Sequence, residues 1–212
     1  MDKLKSEKAR IAIAIPYYNL VPVPFHTSLI KLITKMKEWG MEIHIFSVDR
    51  TNCVMARNTL MEMFLKEHKQ RSFDWIFHID SDTVFRVDHF LRLLRDAIIN
   101  HLDILSAVYL QRGSTGDHKP VMLRKVNGKY VYLDIEFRDA ITPVDAIGLG
   151  FMICRTDIYL KLRDKYGKFV FDYRKTDDDM LSEDIVWCER VKDEGYSVNV
   201  DRDVVVGHYG VI

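Results

Sequence analysis

Residues 74–85 read DWIFHIDSDTVF. An apolar run ends on two carboxylates, Asp80 and Asp82, with Ser81 between them. WIFHID has the length and the aromatic, branched character of a buried β-strand, so the aspartates stand where that strand surfaces. The spacing alone is a weak signal. With 22 aspartates in 212 residues, about two Asp-x-Asp pairs arise by chance. Three occur, the others being Asp177/Asp179 and Asp201/Asp203. The first of these lies in a run of acids and the second in what reads as a short turn between late strands. Both are expected to be solvated loop residues.

The chain before this stretch tells what kind of strand it is. IAIAIP (11–16) reads as a short buried strand closed by Pro16, and YYNLVPVP as the loop after it. Apolar residues at 29, 30, 32, 33 and 36 predict a helix over 26–39, stopped by Gly40. EIHIFSVD (42–49) is a second strand, and NCVMARNTLMEMFLKEH (52–68) a helix with Asn52 at its N-cap. After WIFHID come a helix over 87–101 and a strand over 103–110. Strands alternating with helices predict an α/β fold, with a mostly parallel sheet covered by helices on both faces.

Beyond residue 110 the character changes. VMLRKVNGKYVYL predicts a hairpin turning at Asn127-Gly128. AIGLGFMIC reads as one apolar strand containing Gly148 and Gly150, followed by a helix over TDIYLKLRDKYG. KTDDDMLSEDIVWCERVKDEG passes from an acidic loop into a helix with Ser182 as N-cap and Gly195 as its stop. YSVNV and VVVGHYG close the chain. No repeat, low-complexity tract or linker appears. One domain over 1–212 is expected, with a nucleotide-binding half at about 10–110 and an acceptor-side half at about 111–212.

Composition narrows the class. Lys+Arg and Asp+Glu are equal at 31 each, which gives no general reason to expect a nucleic-acid partner. Cys53, Cys154 and Cys188 are few, odd in number and far apart, which fits a reduced compartment and small core residues. MDKLKSEKAR does not read as a signal peptide, and no apolar run approaches the ~20 residues of a membrane span. A cytoplasmic setting is expected, with peripheral contact to a membrane left open.

In an open parallel sheet, ligands gather at the C-terminal strand ends. Three early strands end there in polar residues: Tyr17 to Asn19, Asp49, and Asp80 with Asp82. Oxygen-rich carboxylate sites suit Mg²⁺ or Mn²⁺ shared with substrate phosphates. Late in the chain, Glu183 and Asp184 open a helix and His208 follows the last strand. Acids in a first helical turn are ordinary dipole partners, and a lone histidine is more often structural than a ligand.

Taken together, IAIAIPYYN, ARN (56–58), HIDSDTVF and SED…CERVKDEGYSVNV…GH resemble the GT-A-fold glycosyltransferases, in particular the inverting, family-two-like enzymes. The resemblance implies a metal-dependent transfer of a sugar from a UDP- or GDP-sugar to a glycan, lipid-linked or protein acceptor. It implies that Pro16, Tyr17, Asn19, Asp49, Arg57, Asp80 and Ser81 face the donor. Asp82, with Asp80 and His208, would hold Mn²⁺ or Mg²⁺. Asp184, with Glu183 second, would be the general base, and Gly148 and Gly150 would line the acceptor side. No Gln-x-x-Arg-Trp motif of processive synthases is present, so a long-chain polymerase is not expected. Two other readings stand beside this one. One is a nucleotide-sugar-binding module without turnover. The other is a phosphatase of the haloacid-dehalogenase type, whose Asp-x-Asp belongs on a first strand rather than a third.

Overall fold

The protein is described by a computed structural model covering residues 9–17, 21–49, 52–111, 119–134, 139–176 and 180–209. In chain order its elements are β1 (Ile11–Tyr17), α1 (Val23–Glu38), β2 (Ile43–Asp49), α2 (Cys53–Arg71), β3 (Trp75–Ile79) and the two-residue β4 (Thr83–Val84). There follow α3 (Val87–Ile99), β5 (Ile104–Val108), β6 (Met122–Val126), β7 (Lys129–Tyr132), β8 (Ile141–Val144), β9 (Ala146–Ile147) and β10 (Phe151–Arg155). The chain continues through α4 (Thr156–Tyr166), β11 (Arg174–Lys175), β12 (Met180–Leu181), α5 (Glu183–Asp193), β13 (Val198–Val205) and β14 (Gly207–His208).

The main sheet has seven strands in the order β2-β1-β3-β10-β5-β13-β8. β1, β2 and β3 pair in parallel, as do β5 and β13, whereas β10 and β8 run against their neighbours. The expected α/β class with a mostly parallel sheet is what the structure shows. Both halves of the chain build this sheet, since β10 inserts between β3 and β5. Alternation along β1 explains the layering. Ile11, Ile13 and Ile15 pack with the apolar faces of α1 and α3, while Ala12 and Ala14 pack with α2, α4 and α5. Successive side chains of a strand point to opposite faces, so a strand apolar throughout is one covered on both sides.

Local chemistry sets the element ends. The Asn52 side chain accepts a 2.9 Å hydrogen bond from the Met55 N–H and caps α2. The hairpin turns where expected, with φ of 49° at Asn127 and 80° at Gly128, the backbone that a two-residue turn between twisted strands requires.

Four expectations are corrected. α1 starts at Val23 rather than 26, with Pro24 in its first turn, where an absent N–H leaves nothing unpaired. AIGLGFMIC is not one strand: β9 joins β6 and β7 in a three-stranded sheet while β10 enters the main one. YSVNV and the following valines form one strand, β13, with a register irregularity between Asp201 and Val205. The Asp201/Asp203 pair is therefore not a solvated turn. Asp201 lies within β13 with no exposed surface, and its carboxylate takes Arg92 Nε at 2.9 Å and Nη2 at 3.3 Å. Asp203 shares the same guanidinium at 2.8 Å. Asp177 and Asp179 lie outside the described residues.

Candidate active site

Asp80 to Thr83 form a tight turn closed by the Thr83 N–H on the Asp80 carbonyl at 3.0 Å. The Gly150 carbonyl clamps it from below, accepting from the Asp80 N–H at 2.9 Å and from the Thr83 hydroxyl at 3.0 Å. Asp80 and Asp82 do shape a turn, and their carboxylates also face two charged or titratable partners. Arg57 Nη2 donates to both oxygens of Asp80, at 3.0 and 3.3 Å. His208 Nε2 lies 3.4 Å from Asp82 Oδ1. Ser81 is buried between them.

Arg57 is the hub. It comes from the second turn of α2, is 1% exposed, and its Nε lies 3.6 Å from Glu183 and 3.8 Å from Asp184. One guanidinium thus faces three carboxylates drawn from β3 and α5. Buried Trp187, Cys188 and Val191 seat α5 against the core, with Trp187 stacked on Phe171 at an interplanar angle of 10°. The neighbouring Asn58 pins Phe171 through its backbone, donating to the carbonyl at 2.8 Å and accepting from the N–H at 3.0 Å. The ARN stretch therefore divides its work. Asn58 holds the scaffold and Arg57 gathers the acids.

The electrostatics follow from this burial. Asp184 is pushed up to about 7, because desolvation penalises its charge more than Arg57 favours it, and Glu183 and Asp80 raise it further. A backbone hydrogen bond from Leu149 opposes the rise. Burial likewise pushes the Cys53 thiol up to about 12, so it is no nucleophile at neutral pH. Arg57 is held firmly charged by the surrounding acids, although burial acts against it.

Tyr109 is the site residue that sequence reading missed. Its hydroxyl accepts from the Gly150 N–H at 3.1 Å, and its ring meets His208 edge-on at 5.5 Å. A Cβ on Gly148 would lie 1.7 Å from the Tyr109 hydroxyl oxygen, and one on Gly150 would lie 3.1 Å from Asp80 Oδ2. Both glycines are buried, and their small size has a packing cause in the phenol above them. A tyrosine closing an apolar strand carries no motif that would have singled it out.

His208 reaches Asp82 because β14 pairs antiparallel with β4, setting His208 opposite Thr83. The Tyr209 N–H donates to the Asp82 carbonyl at 2.7 Å. His208 Nδ1 is 3.1 Å from the Leu110 carbonyl. A proton on Nδ1 satisfies that contact and turns the Nε2 lone pair towards the carboxylate, the arrangement seen in metal-binding histidines. Among the described residues no three His, Cys, Asp or Glu converge as a ready-made metal cage. One carboxylate and one imidazole nonetheless fit Mn²⁺ or Mg²⁺, which complete their shells with water and substrate phosphates.

The remaining expected residues lie at the ends of β1 and β2 or beyond description, and β1 runs beside β3 in parallel register, Ala14 opposite His78. Pro16 and Tyr17 end β1 in register with Val48 and Asp49. Tyr17 turns to α1, edge-on to Phe25 at 6.1 Å, and Asp49 is exposed at the end of β2. Asn19 lies outside the described residues.

No family model and no curated protein matches the chain. Among 392 matching chains of solved structures, the crystal structure of A197 from STIV is similar over 96% of this chain and 86% of that one, with a TM-score of 0.59 and 19% identity. That likeness concerns the fold, and a fold hosts many functions. The chemistry has to be argued from the site.

Proposed function

We propose that the protein is a GT-A-type glycosyltransferase that moves a sugar from a nucleotide-diphosphate sugar to an acceptor hydroxyl. The observation that carries this reading is geometric: the buried Arg57 guanidinium draws Asp184 and Glu183 of α5 together with the aspartate turn at the end of β3, and desolvation there pushes Asp184 up to about 7. A general base works best with a pKa near the working pH. Asp184 takes the proton of the acceptor hydroxyl as its oxygen bonds to the sugar's anomeric carbon. The anomeric C–O bond breaks, and its electron pair leaves with the nucleoside diphosphate. Asp82 and His208 are the residues to hold the divalent cation, which when bound stabilises negative charge on the departing diphosphate. Arg57 fixes Asp80 and the α5 acids in one constellation and points inward, so its part is positioning rather than donor contact. The mixed sheet, parallel but for β10 and β8, is compatible with this fold type. Among the described residues no helix is long and apolar enough to cross a membrane. The turn sits on the third strand, after two strand–helix units, which disfavours the phosphatase reading.

The test is release of nucleoside diphosphate from a panel of UDP- and GDP-sugars with Mn²⁺, alongside calorimetry of nucleoside diphosphate binding. Asp184→Asn keeps size and most hydrogen bonding but cannot accept a proton. Turnover should fall by roughly 10²-fold or more while binding stays near wild type. Loss of binding would make Asp184 a ligand or structural group, and unchanged turnover in both Asp184→Asn and Glu183→Gln would end the assignment. Binding without any turnover in the wild type would favour the module that has lost catalysis.

A further inference from the structure

Beside the carboxylate pair lies a second feature that the proposed chemistry does not use. The β6–β7 hairpin, the short β11 and β12 strands and α5 line an open cavity of about 940 Å³. That is at the upper end of ligand-site sizes, which run to roughly 1,000 Å³.

Its walls follow from register. Leu123 pairs with Tyr132 and Lys125 with Tyr130, so these four share one face of the hairpin, and all four line the cavity. Across from them α5 presents Ile185 and Glu189, one helical turn apart. Leu181 and Ile185, immediately flanking the Ser182–Asp184 stretch, both line it, so the cavity adjoins the turn of α5 that carries the proposed base, although Asp184 itself is not in its lining.

Three of the four cations in its walls, Lys125, Arg174 and Lys192, are held in ion pairs, while Lys129 and Asp193 also line it. Glu189 Oε1 takes Lys125 Nζ and the Tyr130 hydroxyl, each at 2.7 Å, and its other oxygen pairs with Arg174. Lys192 pairs with Asp145. The rest of the lining mixes apolar Leu123, Met180, Leu181 and Ile185 with polar Asn127 and Thr176. Tyr132, 36% exposed, carries Lys119 Nζ 5.8 Å from its ring centroid and leaves its other face for a ligand. Aromatic faces receive the C–H faces of sugar rings, and polar neighbours take their hydroxyls.

We propose that this cavity is the acceptor cleft and that its occupant is an uncharged oligosaccharide. The inference rests on the glycosyltransferase reading for the word acceptor, but saccharide binding is measurable without it. The volume exceeds what a single hexose needs, which argues for a chain of several units. Three of the four lining cations are already engaged by Glu189 and Asp145, which argues against an acidic or phosphorylated one.

The experiment applies the labelled full-length protein to an array of neutral gluco-, galacto-, manno- and N-acetylglucosamine oligosaccharides beside uronate-bearing and phosphorylated ones. Saturation-transfer NMR with the retained soluble oligosaccharide follows. Retention on at least one neutral chain is expected, weakened about tenfold by Tyr132→Ala and kept by Tyr132→Trp, which preserves the aromatic face. Tyr132 is a rim residue of the hairpin, and unchanged thermal midpoints would show that both variants fold. No neutral oligosaccharide retained, retention of acidic ones alone, or indifference to Tyr132→Ala would each overturn the proposal. Calorimetry of the same proteins with UDP or GDP and Mn²⁺ separates the two ideas. If neither nucleotide binds but an oligosaccharide does, the donor reading falls and the cleft stands.

Discussion

Asp184 shows how two effects on one carboxylate are weighed. The start of a helix favours its charge, and desolvation opposes it. Burial wins, and the group rises from 3.8 to about 7. As the proposed base it must be unprotonated, so turnover should climb with pH across the region around 7 and level off above it. A profile flat from about pH 5.5 to 8.5 would take Asp184 out of that role. Arg57 lowers this pKa, so Arg57→Met should move the acid limb to higher pH. That change also strips the shared counter-charge from three acids, costing on the order of 3 kcal/mol in urea unfolding. A group with a raised folded pKa contributes stability that is full below 3.8 and lost as pH rises through about 7. Asp184→Asn should therefore melt above wild type at pH 8, with the two converging near pH 4. The SED stretch made the position of this acid legible. Its titration was not, because the groups that decide it, Arg57, Asp80 and Leu149, come from other parts of the chain.

The two aspartates of β13 test what a strand can hide at the element scale. Asp203 is half exposed and Asp201 is fully buried, and Arg92 of α3 bridges both. Asp201→Ala should destabilise by on the order of 2 kcal/mol, since the Asp203 N–H loses its acceptor and Arg92 loses its buried one, keeping only Asp203 and Asp96. Asp203→Ala should stay within about 0.5 kcal/mol. Equal effects would mean the buried carboxylate is not the anchor. The sequence misled here because Asp-Arg-Asp among valines looks like a turn, and nothing local announces an arginine 109 residues away. The split between β9 and β10 was hidden in the same way. Two glycines in an apolar run are compatible with an unbroken strand until Tyr109 is seen to occupy the space beside them. Gly148→Ala should displace that ring, lowering stability by roughly 1–3 kcal/mol, and should weaken metal-dependent nucleotide binding through His208, which the ring supports.

The large features of the molecule were the most readable, because alternating strands and helices and a two-faced β1 depend on periodicity rather than on partners. The meeting of Asp82 with His208 depends on chain return, through the pairing of β14 with β4, and only the outcome was anticipated. That pairing is carried by backbone. His208→Ala should therefore leave the metal-free thermal midpoint within about 1 °C while weakening Mn²⁺-dependent nucleoside diphosphate binding about tenfold. A fall in the midpoint with metal dependence intact would make the histidine structural. The interleaved strand order has a further consequence for how the chain comes into being. β3 and β5 are made early but never touch; the slot between them stays open until residues 151–155 arrive and run the other way. During synthesis β3 must carry one open edge and β5 no partner on either side for some forty residues' worth of elongation, at about 5–20 residues per second, and the far edge of β5 waits longer still for β13. Fragments ending near residue 110 should accordingly be captured by chaperones or precipitate, and the late strands, rather than the first half of the chain, commit the polypeptide to its final form.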